Sequence, residues 1–277
     1  MLDHELDVAI AAARDAVGVV NEVYAHPFDV DYKERNEPVT IADRRANEII
    51  CNAIACAFPN DAIVAEESAP SDPARIAADL ARERVWLVDP LDGTKEFVAR
   101  NDEFAVMIGL CVAGTPIVGV VALPMTGQVF VGGPGGAWLI APDGARRPLH
   151  VSSVRAVADS TLLLSRSHRS DRLLALVARL APARQVISGS VGIKCARIAA
   201  SEADVYINLP SLRGARLWDA CGPEAIVRAA GGRVSTVFGE PIAYQGPGLA
   251  LARGMVATNG WLHDEVLAVM RAAPAAR

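Results

Sequence analysis

Residues 85–88 (Val-Trp-Leu-Val) run without a spacer into Asp89-Pro90-Leu91-Asp92-Gly93-Thr94. No other stretch limits the fold so tightly. A strand that is apolar at every position is buried on both faces, so it belongs inside a covered sheet. Its exit then lies at the sheet edge, where α/β proteins build sites. Asp89 and Asp92, three residues apart across a proline-containing turn, can converge there. Uncompensated, the two carboxylates repel one another and are costly to desolvate.

The surrounding pattern supplies the rest of such a fold. Leu6, Ile10, Ala13, Val17 and Val20 recur at helical spacing and predict an amphipathic helix over 2–24. A second helix is expected over 41–58, with Thr40 as its cap and Pro59-Asn60 beyond its end. A short strand, Ala62-Ile63-Val64-Ala65, leads into Glu66-Glu67-Ser68, and 70–83 reads as an exposed connecting helix or loop. After 85–88, strands are expected at 105–112, 117–123, 128–131 and 137–140, making an antiparallel sheet flanked by helices. Near residue 150 the rhythm changes. Strands at 162–164, 185–187, 205–207, 234 and 255–257 alternate with helices at 171–180, 191–201, 220–230 and from 262. The fold class is therefore α/β, an α+β half over 1–150 followed by an α/β half over 151–277.

Composition narrows the function classes. The chain has 277 residues and a formal net charge of −5, which argues against a nucleic-acid polymer or a membrane surface as partner. The apolar stretch 104–125 is long enough for a membrane span, but Gly114-Thr115-Pro116 interrupts it, and two buried strands fit better. Five cysteines without metal-site spacing read as small apolar residues in a reduced compartment, and the acidic N-terminus lacks the layout of a secretory signal. A cytoplasmic protein is expected.

Carboxylates stand at strand ends or helix starts in four places: Asp43, Glu66-Glu67, Asp89 with Asp92, and Asp219. Taken singly, each has a plain explanation: a solvated turn, an exposed acidic loop, or a cap for a helix from Ala220. Together they suit a hard divalent cation. Magnesium takes few carboxylates and completes its shell with water and phosphate oxygens. Gly93 lets a ligand approach the backbone, and Thr94 can cap a helix beginning at Lys95, whose first N–H groups would cradle a phosphate. A metal site beside a phosphate site implies phosphoryl chemistry.

With these residues in place, the sequence resembles the inositol monophosphatase superfamily of metal-dependent, lithium-sensitive phosphatases. The resemblance rests on Val39-Thr40-Ile41-Ala42-Asp43, Glu66-Glu67-Ser68, Asp89-Pro90-Leu91-Asp92-Gly93-Thr94 and Trp218-Asp219, in that order, and runs from Lys33 to the C-terminal helix. Ala65 departs from the family's usual glycine before the glutamate pair. Lys95-Glu96-Phe97, Arg100-Asn101, Glu103-Phe104, Ser165-Arg166-Ser167-His168, Gly189-Ser190 with Lys194, and 218–226 are similar to the 3′(2′),5′-bisphosphate nucleotidase (CysQ-type) branch. Asn208 stands near where some nucleotidases place a basic residue, which leaves that substrate contact open.

The resemblance implies a layered αβαβα sandwich and two or three Mg2+ ions. Glu66, Asp89 and the Leu91 carbonyl would hold one ion, and Asp89, Asp92 and Asp219 a second. Two ions about 3.5–4 Å apart can clamp the attacking and leaving oxygens of an in-line displacement. Asp43, Thr94 and Glu66 would be catalytic, with Thr94 on Asp43 orienting the attacking water. Gly93 and Thr94 would receive the phosphate, while Glu67 would sit behind the ligands or hold a weaker third ion. Trp218 is read as packing that fixes Asp219. Ser190, Lys194 and His168 are candidate substrate contacts. For Lys194 a solvated helix lysine, and for His168 a loop histidine without a role, are the competing readings. Arg166 and Arg213 are phosphate partners or surface ion pairs. The implied substrate is a small phosphorylated molecule, adenosine 3′,5′-bisphosphate or its sulfated form, processed by a monomer or homodimer. Inositol phosphate, fructose 1,6-bisphosphate and a catalytically silent binding protein are the alternatives.

Overall fold

The computed structural model describes residues 2–33, 37–167, 169–211 and 214–272. Helices α1 (Asp3–Tyr24) and α2 (Ile41–Ala57) are separated by a hairpin of β1 (Val30–Lys33) and β2 (Glu37–Thr40). Then come β3 (Ala62–Ala65), α3 (Pro73–Leu80), β4 (Arg84–Asp92), α4 (Thr94–Val98), β5 (Ala105–Val112), β6 (Thr115–Leu123), β7 (Gln128–Gly133), β8 (Gly136–Ile140) and β9 (Arg146–Leu149). The remainder comprises β10 (Thr161–Ser165), α5 (Asp171–Leu180), β11 (Arg184–Ser188), α6 (Val191–Ala199), β12 (Val205–Asn208), α7 (Leu217–Ala229), β13 (Arg233–Ser235), β14 (Met255–Thr258) and α8 (His263–Arg271).

Strands β3 to β9 lie in chain order in one sheet, and β11-β10-β12-β14-β13 form a second. The first sheet is not wholly antiparallel, as its sequence suggested. Strand β3 runs parallel to β4, because α3 crosses over between them. Helices α1 and α2 cover one face through Ala9, Ala13, Ala16, Val20, Ala46 and Ile50, all buried against β4–β7. Helices α6 and α7 fill the space between the two sheets, and α5 with α8 close the outer face of the second. Helix, sheet, helix, sheet and helix follow one another, a mixed α/β sandwich. Strand β4, second from the sheet edge, is buried from Val85 to Leu91, as a run apolar on both faces requires.

One packing detail fixes where α7 lies. Gly109, Gly119 and Gly132 stand side by side on β5, β6 and β7. A Cβ on Gly119 would sit 2.1 Å from the Gly222 carbonyl oxygen, and one on Gly132 would sit 2.5 Å from the Ile226 Cα. Helix α7 therefore rests directly on sheet backbone, with Gly222 at the contact. Its start differs from expectation: the helix begins at Leu217, so Asp219 is its third residue and not a cap.

Candidate active site

The carboxylates meet where β4 leaves the sheet. Strand β3 pairs with β4 so that Ala65 lies opposite Val88, and the Glu66 N–H donates to the Val88 carbonyl (3.0 Å). This register sets Glu66 beside Asp89. On the other side the ladder to β5 breaks between Asp89 and Asp92, so Pro90 and Leu91 are looped out and both aspartates turn toward one place. Asp219 arrives from the first turn of α7, where its carboxylate accepts from the Arg216 N–H at 2.5 Å. One oxygen from each of Asp89, Asp92 and Asp219 lies within 4.8 Å of the others.

Such proximity has an electrostatic signature. Burial, then the charges of Glu66, Asp92 and Asp219, raise Asp89 well above the usual carboxylate range. Burial and the neighbouring Asp92 push Asp219 up to about 7. Asp89 and Asp219 lie close enough for the charge of each to act on the other. Glu66 stands outside the tight trio. It is paired with Lys33 (2.9 Å), whose ammonium also binds Glu67. Burial opposes the Lys33 charge, but the two glutamates outweigh it and raise its pKa. Lys33 is the residue that sequence reasoning missed. It lies on a hairpin strand too short to be read from periodicity, so nothing marked the side chain as facing the acidic cluster.

Beside the trio stands a hydroxyl–carboxylate pair. Thr94 Oγ lies 3.0 Å from Asp43 and 3.1 Å from the Leu91 carbonyl, within donating reach of both. The other Asp43 oxygen accepts from the N–H and the hydroxyl of Thr40, each at 2.7 Å. Thr40 is the N-cap of α2, as expected, and Asp43 closes a capping box with it. Thr94 does not cap α4 but is its first residue. The cap is Gly93 at φ +95°, where a Cβ would press on the Glu103 carbonyl oxygen at 2.9 Å.

The inositol monophosphatase family model matches residues 1–274. The chain belongs to that family. It is a phosphatase by membership, and particular relatives are similar along most of their length. The 3′(2′),5′-bisphosphate nucleotidase CysQ of Escherichia coli strain K12 is 34% identical over 241 residues, 86% of this chain and 93% of that one. Inositol monophosphatase 3 of Solanum lycopersicum is 30% identical over 269 residues, 94% of this chain and 93% of its own. The inositol monophosphatase structure from Anabaena superposes with a TM-score of 0.78 at 27% identity, covering 99% of this chain and 97% of that one.

In this family member the remaining candidate residues fall into two groups. Ser190 and Lys194 lie behind Asp92 rather than in front of it. Ser190 Oγ donates to Asp92 at 2.5 Å and is buried, and Lys194 is 1% exposed with its ammonium on backbone carbonyls. The solvated lysine offered as the alternative at 194 is not found, because the side chain folds back under its own helix start. Arg166 takes the ion-pair alternative, bonded to Glu103 at 2.7 Å. Glu103 also accepts from the Gly189 N–H, and the buried Glu96 accepts from Ser167, so these branch markers tie the two sheets together. Trp218 is buried in the layer between the sheets, a packing position. His168 and Arg213 lie outside the described residues. The five cysteines are free, and no helix among the described residues is long and apolar enough to cross a membrane.

Proposed function

We propose that this chain is a magnesium-dependent phosphomonoesterase that hydrolyses adenosine 3′,5′-bisphosphate, or its sulfated form, at the 3′-phosphate. The observation that carries the metal reading is the trio of Asp89, Asp92 and Asp219, one buried and two half-buried carboxylates with oxygens within 4.8 Å. Three carboxylates at that spacing fit a hard cation with oxygen ligands. Asp89, Asp92, Asp219, Glu66 and the Leu91 carbonyl would hold two or three ions. Magnesium bound there supplies positive charge against the phosphoryl oxygens and makes a water more acidic.

The chain's own groups do the rest. Thr94 gives its proton to Asp43 and so presents hydroxyl lone pairs to the attacking water, which it aligns and relieves of a proton. The opening N–H groups at Gly93 and Thr94 receive the phosphate, as the start of a helical turn can. Glu67, held with Glu66 on Lys33, stands behind the ligands.

Support for the nucleotide comes from the E. coli relative, whose name specifies a bisphosphate nucleotide. The tomato relative, matching over 94% of the chain, supports inositol monophosphate as the second reading. A cytoplasmic monomer or homodimer fits free cysteines and a soluble small-molecule substrate. Purified protein with Mg2+ should release phosphate from adenosine 3′,5′-bisphosphate with a kcat/KM at least tenfold above that for inositol 1-phosphate or fructose 1,6-bisphosphate. The reverse order would overturn the nucleotide assignment, and equal rates with and without EDTA would overturn the metal.

A further inference from the structure

We infer that Lys194 is a positioning residue that shapes the turn holding Asp92, and not a ligand for phosphate. The inference rests on the reading of Asp92 as a metal ligand. Helix α6 starts after Ser190, whose backbone sits at φ +48° and ψ 133°, a region that side-chain-bearing residues avoid. Such a backbone conformation is strained and persists only where its surroundings enforce it. Lys194, one turn into α6, does the enforcing. Its Nζ lies 3.3, 2.9 and 2.5 Å from the carbonyl oxygens of Ser188, Gly189 and Ser190. An ammonium has three protons, and three carbonyls take them, so none is left to meet a substrate oxygen. The Tyr206 ring, 5.1 Å away, closes another side.

With three successive carbonyls drawn inward onto the lysine, the donors of the same segment face the other way. Ser190 Oγ and the Gly192 N–H both bind the same oxygen of Asp92, at 2.5 and 2.9 Å. Two bonds to one oxygen fix the plane of that carboxylate. The Gly189 N–H meanwhile binds Glu103. Asp92, Glu96 and Glu103 all act on the lysine as negative neighbours, so its charge also offsets a locally acidic environment. Without the ammonium, the three carbonyls lose the charge that draws them to one point, Ser190 can relax, and Asp92 loses its fixed orientation.

The test compares wild type, Lys194→Met and Lys194→Gln, each first shown by thermal melting to unfold cooperatively. Isothermal titration of the EDTA-treated proteins with MgCl2 reads metal binding directly, and steady-state kinetics separates KM for substrate from the Mg2+ concentration giving half-maximal rate. Lys194→Met should weaken Mg2+ binding at least tenfold and raise the half-activating concentration in step, with substrate KM at saturating Mg2+ changed less than threefold. Lys194→Gln, whose amide can still donate to two carbonyls, should fall between and serves alone if the Met variant does not fold. A tenfold rise in KM with unchanged Mg2+ affinity would overturn the inference and restore a phosphate contact. Wild type that binds no Mg2+ would overturn the metal reading itself. Wild type that binds it no better than the variants would overturn only the role given to Lys194.

Discussion

Asp92 and Thr94 sit two residues apart, yet their side chains have different partners and should fail differently. Asp92 is surrounded by donors on one side and carboxylates on the other. Replacing it with asparagine keeps the shape and removes one negative charge from the trio. Phosphate release by Asp92→Asn should drop by about 100-fold or more with the fold retained, since the variant relieves repulsion while losing a proposed metal ligand. Thr94 is a matter of one hydroxyl. Thr94→Ala should lower kcat by roughly 100-fold, in the range expected for loss of one general-base group, with little change in melting temperature. Thr94→Ser should retain most of the rate, because it keeps the oxygen that reaches Asp43. Circular dichroism melts beside the kinetic constants check both expectations.

At the scale of elements, the position of Asp219 depends on a contact between α7 and bare backbone. Adding one methyl at Gly119 places it inside the Gly222 carbonyl, so helix and sheet must separate. Gly119→Ala should destabilise the protein by about 1–3 kcal/mol in urea titrations and cut activity, although it lies outside the acidic cluster. This contact was not legible in the sequence. Three glycines spaced 10 and 13 residues apart have no periodicity, and they become neighbours only once the strands pair. The buried run before Asp89, by contrast, declared its strand and the place of its exit, because an apolar stretch has only one way to be satisfied. The acidic cluster was legible for the same reason: carboxylates at the ends of apolar segments have few places to go. Lys33 and Lys194 were not, since a lysine carries no local mark of whether it will be solvated or turned inward.

The whole molecule gathers the site from both halves of the chain. Strand β4 brings Asp89 and Asp92, α7 brings Asp219, and the segment after β11 supplies the donors that hold Asp92. A cation that relieves the mutual repulsion should therefore stabilise the entire fold. Mg2+ at about 100 times its dissociation constant adds about 2.7 kcal/mol by mass action, so EDTA-treated protein should melt about 5 °C lower. Acid acts elsewhere. His263 is buried between the hydroxyls of Ser235 (2.8 Å) and Thr258 (3.0 Å), and burial, with Arg233 nearby, lowers its pKa to about 4. The unfolded chain takes up a proton near pH 6.5 while the folded one stays neutral until about pH 4. The stability contributed by neutral burial is complete above pH 6.5 and is lost as pH falls toward 4, by about 3 kcal/mol. The buried aspartates titrate in the opposite sense, so the difference between wild type and His263→Asn in urea melts at pH 7.5 and 4.5 isolates this group.

The capping box at the start of α2 has one more consequence, for anyone wishing to engineer the enzyme. One oxygen of Asp43 secures a helix end and the other holds the threonine beside the carboxylate cluster. In the proposed mechanism, robustness and turnover are thus wired through one side chain. Replacing Thr40 or Asp43 to strengthen the helix would disturb the hydroxyl at the same stroke, so gains in heat resistance must be sought at surfaces remote from this end of α2.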